Sequence, residues 1–214
     1  MEWNRTRLAG QALIAGGTLA IAGYVSVATF AGSSGNKRFT SPLWMPLNGI
    51  AIAGSIICML GLPAILAHHG TRAPRLTLTG YVGTLLTVIM LNIGEGTTET
   101  FVKPYLAKHE EISGATSGIG WDVYFLFAFV FLFVGLISLG IAVIRAKVSP
   151  WWVGALLIAS APLSFVQALP GPLALLGDYL AFIGLIAIGC KVVAAPDHAP
   201  GVTPGVTPSA QVGT

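Results

Sequence analysis

The stretch from Asn92 to Glu99, NIGEGTTE, places an amide and two carboxylates at intervals that a single helix can bring onto one face. Asn92, Glu95 and Glu99 stand at i, i+3 and i+7, and residues three or four apart are neighbours on a helix surface. Carboxylates placed in this way can hold a cation. If apolar surroundings keep one of them protonated, they can also exchange a proton with a substrate. Pro104 is the next helix breaker, so the helix is expected to run to about Val102, with Glu95 near a membrane boundary and Glu99 at headgroup level. The competing expectation is an exposed helix end with solvated carboxylates. Asn92, one turn deeper on the same face, argues for a polar environment that reaches inward, and it makes Glu95 the stronger functional residue.

Other apolar segments bring polar groups to the same depth. Asn48 opens the second segment, Asp122 and Tyr124 open the fourth, Gln167 ends the fifth, and Asp178 with Tyr179 lies about one turn into the sixth. An ionised Asp178 among apolar residues is costly at about 2.5–3.5 kcal/mol on insertion scales, so it is expected to face a protein interior or an aqueous cavity. Its plainer role would be a helix–helix hydrogen bond. Asp122 has an equally plain role, because an acid in the first turn of a helix complements the helix dipole. The expected site therefore pairs Glu95 with Asp178, and Asn48, Asn92, Glu99, Asp122, Tyr124 and Gln167 line a cavity for a ligand.

These residues need an apolar frame to hold them. The chain of 214 residues is 54% hydrophobic and only 9% charged, against about 25% charge in soluble domains. Its mean hydropathy is +0.80. Six stretches read as membrane crossings, at about 8–31, 44–67, 76–102, 121–144, 151–169 and 172–193. Spans this apolar must satisfy their backbone internally, so they should be helices, and the lack of alternation excludes a barrel. The expectation is an all-α, polytopic integral membrane protein: a six-transmembrane-helix bundle over 1–193, followed by a disordered tail over 194–214. The tail carries a GVTP repeat at 201–204 and 205–208 and too little apolar surface to fold. Arg5 and Arg7 precede the first apolar run as in a signal peptide, but the run continues to about Phe30, so a retained helix is expected.

Orientation follows from the 11 basic residues. With the N-terminus in the cytoplasm, Arg5, Arg7, Arg72, Arg75, Arg145, Lys147 and Lys191 lie inside, and Lys37, Arg38, Lys103 and Lys108 lie outside. Both termini are then cytoplasmic in a multi-pass protein of the cell membrane. Six of the 8 acidic residues fall at or beyond the outer face: Glu95, Glu99, Glu110, Glu111, Asp122 and Asp178. The connection from Pro104 to Gly120 would lie over that face. Trp44, Trp121, Trp151 and Trp152 sit at helix ends, where indoles anchor in the interface. Gly16 with Ala20, Gly49 with Ala53, and Gly177 with Ala181 are small-residue pairs that permit close helix approach, within the chain or in an oligomer. Pro63 and Pro162 should bend the second and fifth helices.

Several chemistries are not expected. His68 and His69 are adjacent and point about 100° apart on a helix, and His109 and His198 lie elsewhere, so no metal site is expected. Cys58 and Cys190 differ in depth and should not pair. No span contains a histidine at mid-depth for haem, and no nucleophile elbow, zinc-protease motif or phosphate loop occurs, so no cofactor is expected. Nucleic-acid binding is not expected either, because no basic cluster accompanies a soluble fold.

The layout resembles that of small six-helix membrane proteins of GC-rich bacteria. The acidic pair near one face also resembles, in architecture, the integral-membrane terpene cyclases, although their aromatic-acidic signature is missing. The first functional expectation is the binding or transport of a cationic or amphiphilic small molecule through an outward-facing acidic cavity, among membrane lipids. The second, which the cyclase resemblance implies, is a membrane enzyme doing acid–base chemistry on a lipid or isoprenoid with Glu95 and Asp178. The third is an accessory subunit of a membrane complex.

Overall fold

The computed structural model describes residues 2–30, 35–109, 119–165 and 171–195, and among these every regular element is helical. Helix α1 is Glu2–Phe30. Helix α2, Trp44–His69, is built from Trp44–Gly61 and Pro63–His69. Helix α3 is one rod over Pro74–Leu106, and α4 is Ile119–Ala146. Helix α5 is Trp151–Leu163, and α6 is Leu176–Ala194, led in by a 3-10 turn at Gly171–Leu175. Five of these rods are long and apolar enough to cross a membrane.

The exception is α5. The sequence pattern suggests a crossing to residue 169, but the helix ends at Leu163, and its 13 residues reach only about 20 Å against the roughly 30 Å of a hydrocarbon core. Pro162 lies inside α5, one residue before its end. Residues 166–170 and the tail from 196 onward lie outside the described residues, and so do Gln167, Glu110 and Glu111. A second departure is at Pro104. The α3 rod passes through it to Leu106 rather than stopping near Val102.

Each helix packs against the next in the chain, and α6 returns to α1, so the six rods form a closed antiparallel ring. Glycine sets the spacing in this ring. A Cβ on Gly23 would come within 2.5 Å of the Ala51 backbone nitrogen, one on Gly80 within 2.5 Å of the Leu139 nitrogen, and one on Gly83 within 2.5 Å of the Gly135 Cα. Close approach of this kind replaces the hydrophobic drive that lipid does not supply. Gly16 and Gly177 are used in the same way, against Cys58 and Ser164, whereas Gly49 has open space around it.

One end of the ring is filled. Pro63 interrupts α2, and the segment after it, Pro63–His69, runs beside α1, α3, α4 and α6 alike. Ala64, Ile65 and His69 are fully enclosed there, with Leu13, Leu62, Leu139, Val143, Val153, Leu157, Leu185 and Ile188. The end of the ring that carries the N-terminus is thus plugged by largely apolar side chains, and Asn92, Glu95, Glu99 and Asp178 lie toward the other.

Candidate functional site

The α3 rod is not uniformly α-helical. It widens to a π-helix over Val88–Glu95 and again over Thr98–Val102, the stretch that holds Asn92, Glu95 and Glu99. At the second widening the Lys103 N–H donates to the Thr98 carbonyl, five residues back. In an α-helix that N–H would take the Glu99 carbonyl. Left free, the Glu99 carbonyl accepts instead from the Trp44 indole Nε1–H at 2.9 Å, which ties α3 to the start of α2. The first widening has a matching partner, since the Tyr124 hydroxyl of α4 donates to the Met90 carbonyl. Gly94 makes this approach possible, because a Cβ there would lie 2.5 Å from the Tyr124 oxygen. The hydroxyls of Thr97, Thr98 and Thr100 each donate to the carbonyl four residues earlier, a pattern that bends helices and shares their acceptors. π-turns of this kind occur often at functional sites.

The widened rod faces the interior. Asn92 is buried, and its Nδ2 donates to the Tyr24 hydroxyl of α1 at 3.0 Å. Ser55 of α2 lies beside that hydroxyl and donates to the Ala51 carbonyl at 3.0 Å. The Tyr24 ring meets Phe182 of α6 at 6.2 Å between centroids. Tyr24 thus links α1, α2, α3 and α6 at one level. The sequence reading passes over both Tyr24 and Ser55. A tyrosine in an apolar span at the level of Asn92 was the available signal.

Glu99 and Lys103, and to a smaller extent Asp178, act electrostatically on Glu95. The Asp178 charge also acts on Tyr24 and Tyr179. Both carboxylates are half-buried, and neither is hydrogen-bonded to any described residue. The Tyr179 hydroxyl is buried without a partner among the described residues.

The remaining residues divide. Glu99 is ion-paired to Lys103, one turn on in the same rod. Asn48 is buried, but its amide donates to the Trp44 carbonyl of its own helix at 3.0 Å. Asp122 is exposed in the first turn of α4, the placement that complements a helix dipole. Above the site, Phe39 of the 3-10 turn Gly35–Thr40 packs edge-on against Trp44 at 4.8 Å, with Arg38 over both rings. Among the described residues no three His, Cys, Asp or Glu side chains are grouped to hold a metal ion.

What the fold defines is an all-helical chain with five membrane-length helices and an acidic, partly enclosed end. Compared with known proteins, the chain matches no family model, no curated sequence and no solved structure.

Proposed function

We propose that this protein is a membrane receptor or carrier for a cationic, amphiphilic small molecule, held in the cup between α3 and α6. The reading rests on one observation: Glu95 and Asp178 are half-buried, and neither has a hydrogen-bond partner among the described residues. Two half-buried carboxylates left without donors are costly, and a cation between them removes that cost. Phe182 and the Tyr24 ring supply apolar contact beside the charge. The plug at Pro63–His69 lies beneath, so the cup ends inside the bundle, which suits capture or alternating access better than a continuous pore.

In this proposal the chain crosses six times, and both termini are cytoplasmic. The antiparallel seat of α5 between α4 and α6 supports the count, and the seven-to-four distribution of basic residues supports the direction. A second reading uses the same pair as general acid and base on a lipid or isoprenoid. It is favoured by the presence of two half-buried carboxylates without hydrogen-bond partners among the described residues, the kind of pair that acid–base chemistry uses. The accessory-subunit reading draws less support, because the glycine faces of α1 and α6 are spent inside the bundle.

The test is equilibrium binding of tetraphenylphosphonium, a lipophilic cation, to nanodisc-reconstituted protein. Saturable binding is expected, and Glu95→Gln and Asp178→Asn should each weaken it about tenfold, the equivalent of about 1.4 kcal/mol. Glu110→Gln should leave it unchanged. Binding by both neutral variants at wild-type strength would refute the site.

A further inference from the structure

A second surface lies at the opposite end of the bundle, and it is built from two turns that the fold pins together. The turn between α2 and α3 and the turn between α4 and α5 are joined by two hydrogen bonds. Arg72 Nη1 donates to the Ala146 carbonyl at 2.9 Å, and His69 Nε2 meets Ser149 Oγ at 3.2 Å in an enclosed contact. Arg72, Arg75, Arg145 and Lys147 are all exposed on these turns. The packing register brings them near one another. Gly80 meets Leu139 and Gly83 meets Gly135, so the antiparallel rods carry Arg75 alongside the Val143–Ile144 level, next to Arg145 in the chain.

No described residue offers these cations an acid. The sequence has none between Glu2 and Glu95 and none between Asp122 and Asp178, and the one ion pair among the described residues is Lys103 with Glu99, at the other end. Trp151 and Trp152 follow directly, 71% and 44% exposed, as indoles at headgroup level are. Four cations without a carboxylate partner among the described residues, on two turns joined by hydrogen bonds and bordered by indoles at the mouth of a helix–helix seam, match the phosphate of a lipid whose chains lie along that seam.

We propose that the α3–α4 seam binds an anionic phospholipid, with Arg75 and Arg145 as the principal phosphate contacts and Arg72 and Lys147 beside them. This site is independent of the cup between Glu95 and Asp178. His69–Ser149 and Arg72–Ala146 act as positioning contacts, since they hold the two turns in register before any lipid arrives. Guanidinium groups suit this role because they present paired donors to phosphate oxygens.

Native mass spectrometry of the full chain, released from mixed phosphatidylcholine and phosphatidylglycerol membranes, reads the proposal directly. Wild-type protein should retain phosphatidylglycerol over phosphatidylcholine. Arg75→Gln with Arg145→Gln should lower that retention about thirtyfold, at about fivefold for each cation removed. Arg5→Gln with Arg7→Gln removes as much charge from the same end and should leave retention unchanged, and Arg75→Lys with Arg145→Lys should restore part of it. Equal retention of the two lipids overturns the proposal, and so does an equal loss in the Arg5/Arg7 control. Displacement of the lipid by inorganic phosphate alone would assign the cations to a free anion and overturn it as well.

Discussion

Gly94→Ala tests whether the widened part of α3 is held open by its neighbour on α4. The added methyl would stand 2.5 Å from the Tyr124 hydroxyl oxygen, well inside contact distance, and 3.2 Å from the Ile89 carbonyl. Overpacking of this kind costs about 1–3 kcal/mol. Expelling the hydroxyl from the Met90 carbonyl adds about 0.6 kcal/mol, the average for such bonds in membranes. Alanine offsets part of this, because it favours helix over glycine by up to about 1 kcal/mol. The net expectation is a loss of about 1–2 kcal/mol.

The same methyl should behave differently once the hydroxyl is gone. In Tyr124→Phe the nearest ring atom is Cζ at 3.8 Å, an ordinary contact. There Gly94→Ala should fall within about 0.5 kcal/mol of neutral, so the two changes couple by about 1–2 kcal/mol. Equilibrium unfolding by SDS titration in mixed micelles measures all four members of this cycle. Additivity within about 0.5 kcal/mol, with Gly94→Ala equally costly in both backgrounds, would refute the claim that the Tyr124 hydroxyl sets the shape of the rod.

Two further outcomes follow from the same contacts. Trp44→Phe keeps the packing against Phe39 but removes the indole donor to the Glu99 carbonyl, and it should lower stability in the same SDS titration by about 0.5–1.5 kcal/mol; no measurable loss would mean that the free π-turn carbonyl finds another donor. For topology, a single cysteine at Ser113, in a background with Cys58 and Cys190 replaced, should react with an impermeant maleimide added to intact cells. Labelling of a C-terminal cysteine in its place would reverse the orientation.

Much of the frame is legible in the sequence, because apolar runs bounded by Trp, Pro and basic residues leave helices as the sole way to satisfy the backbone. The errors fall where a proline's effect depends on its neighbours. Pro104 looks like a stop, yet it sits just past a π-turn, where the bonding pattern has already shifted by one residue and the missing N–H is tolerated. Pro162 reads as lying well inside a long span, whereas the helix that holds it is only 13 residues and ends one residue later. No single-residue property distinguishes these cases. The distinction depends on where the following carbonyls and N–H groups find partners.

The site shows the same division between what is local and what is tertiary. The i, i+3, i+7 spacing of Asn92, Glu95 and Glu99 assumes 3.6 residues per turn, and the rod departs from that value over this very stretch. The departure is written on other helices, in the Tyr124 hydroxyl and the Trp44 indole that take up the carbonyls of the widened turns, and in Gly94, which leaves room for one of them. A glycine between two polar residues would pass for a local preference, yet its neighbour in space is 30 residues away in sequence, on α4. Tyr24 escapes notice for the same reason, since an isolated tyrosine in a span is ordinary until Asn92, Ser55 and Phe182 converge on it. Asp178 remains legible because burying a carboxylate is costly in any context, and it stands half-buried in the first turn of α6. Residues whose meaning is energetic can thus be read one at a time, whereas residues whose meaning is geometric need the partner helix.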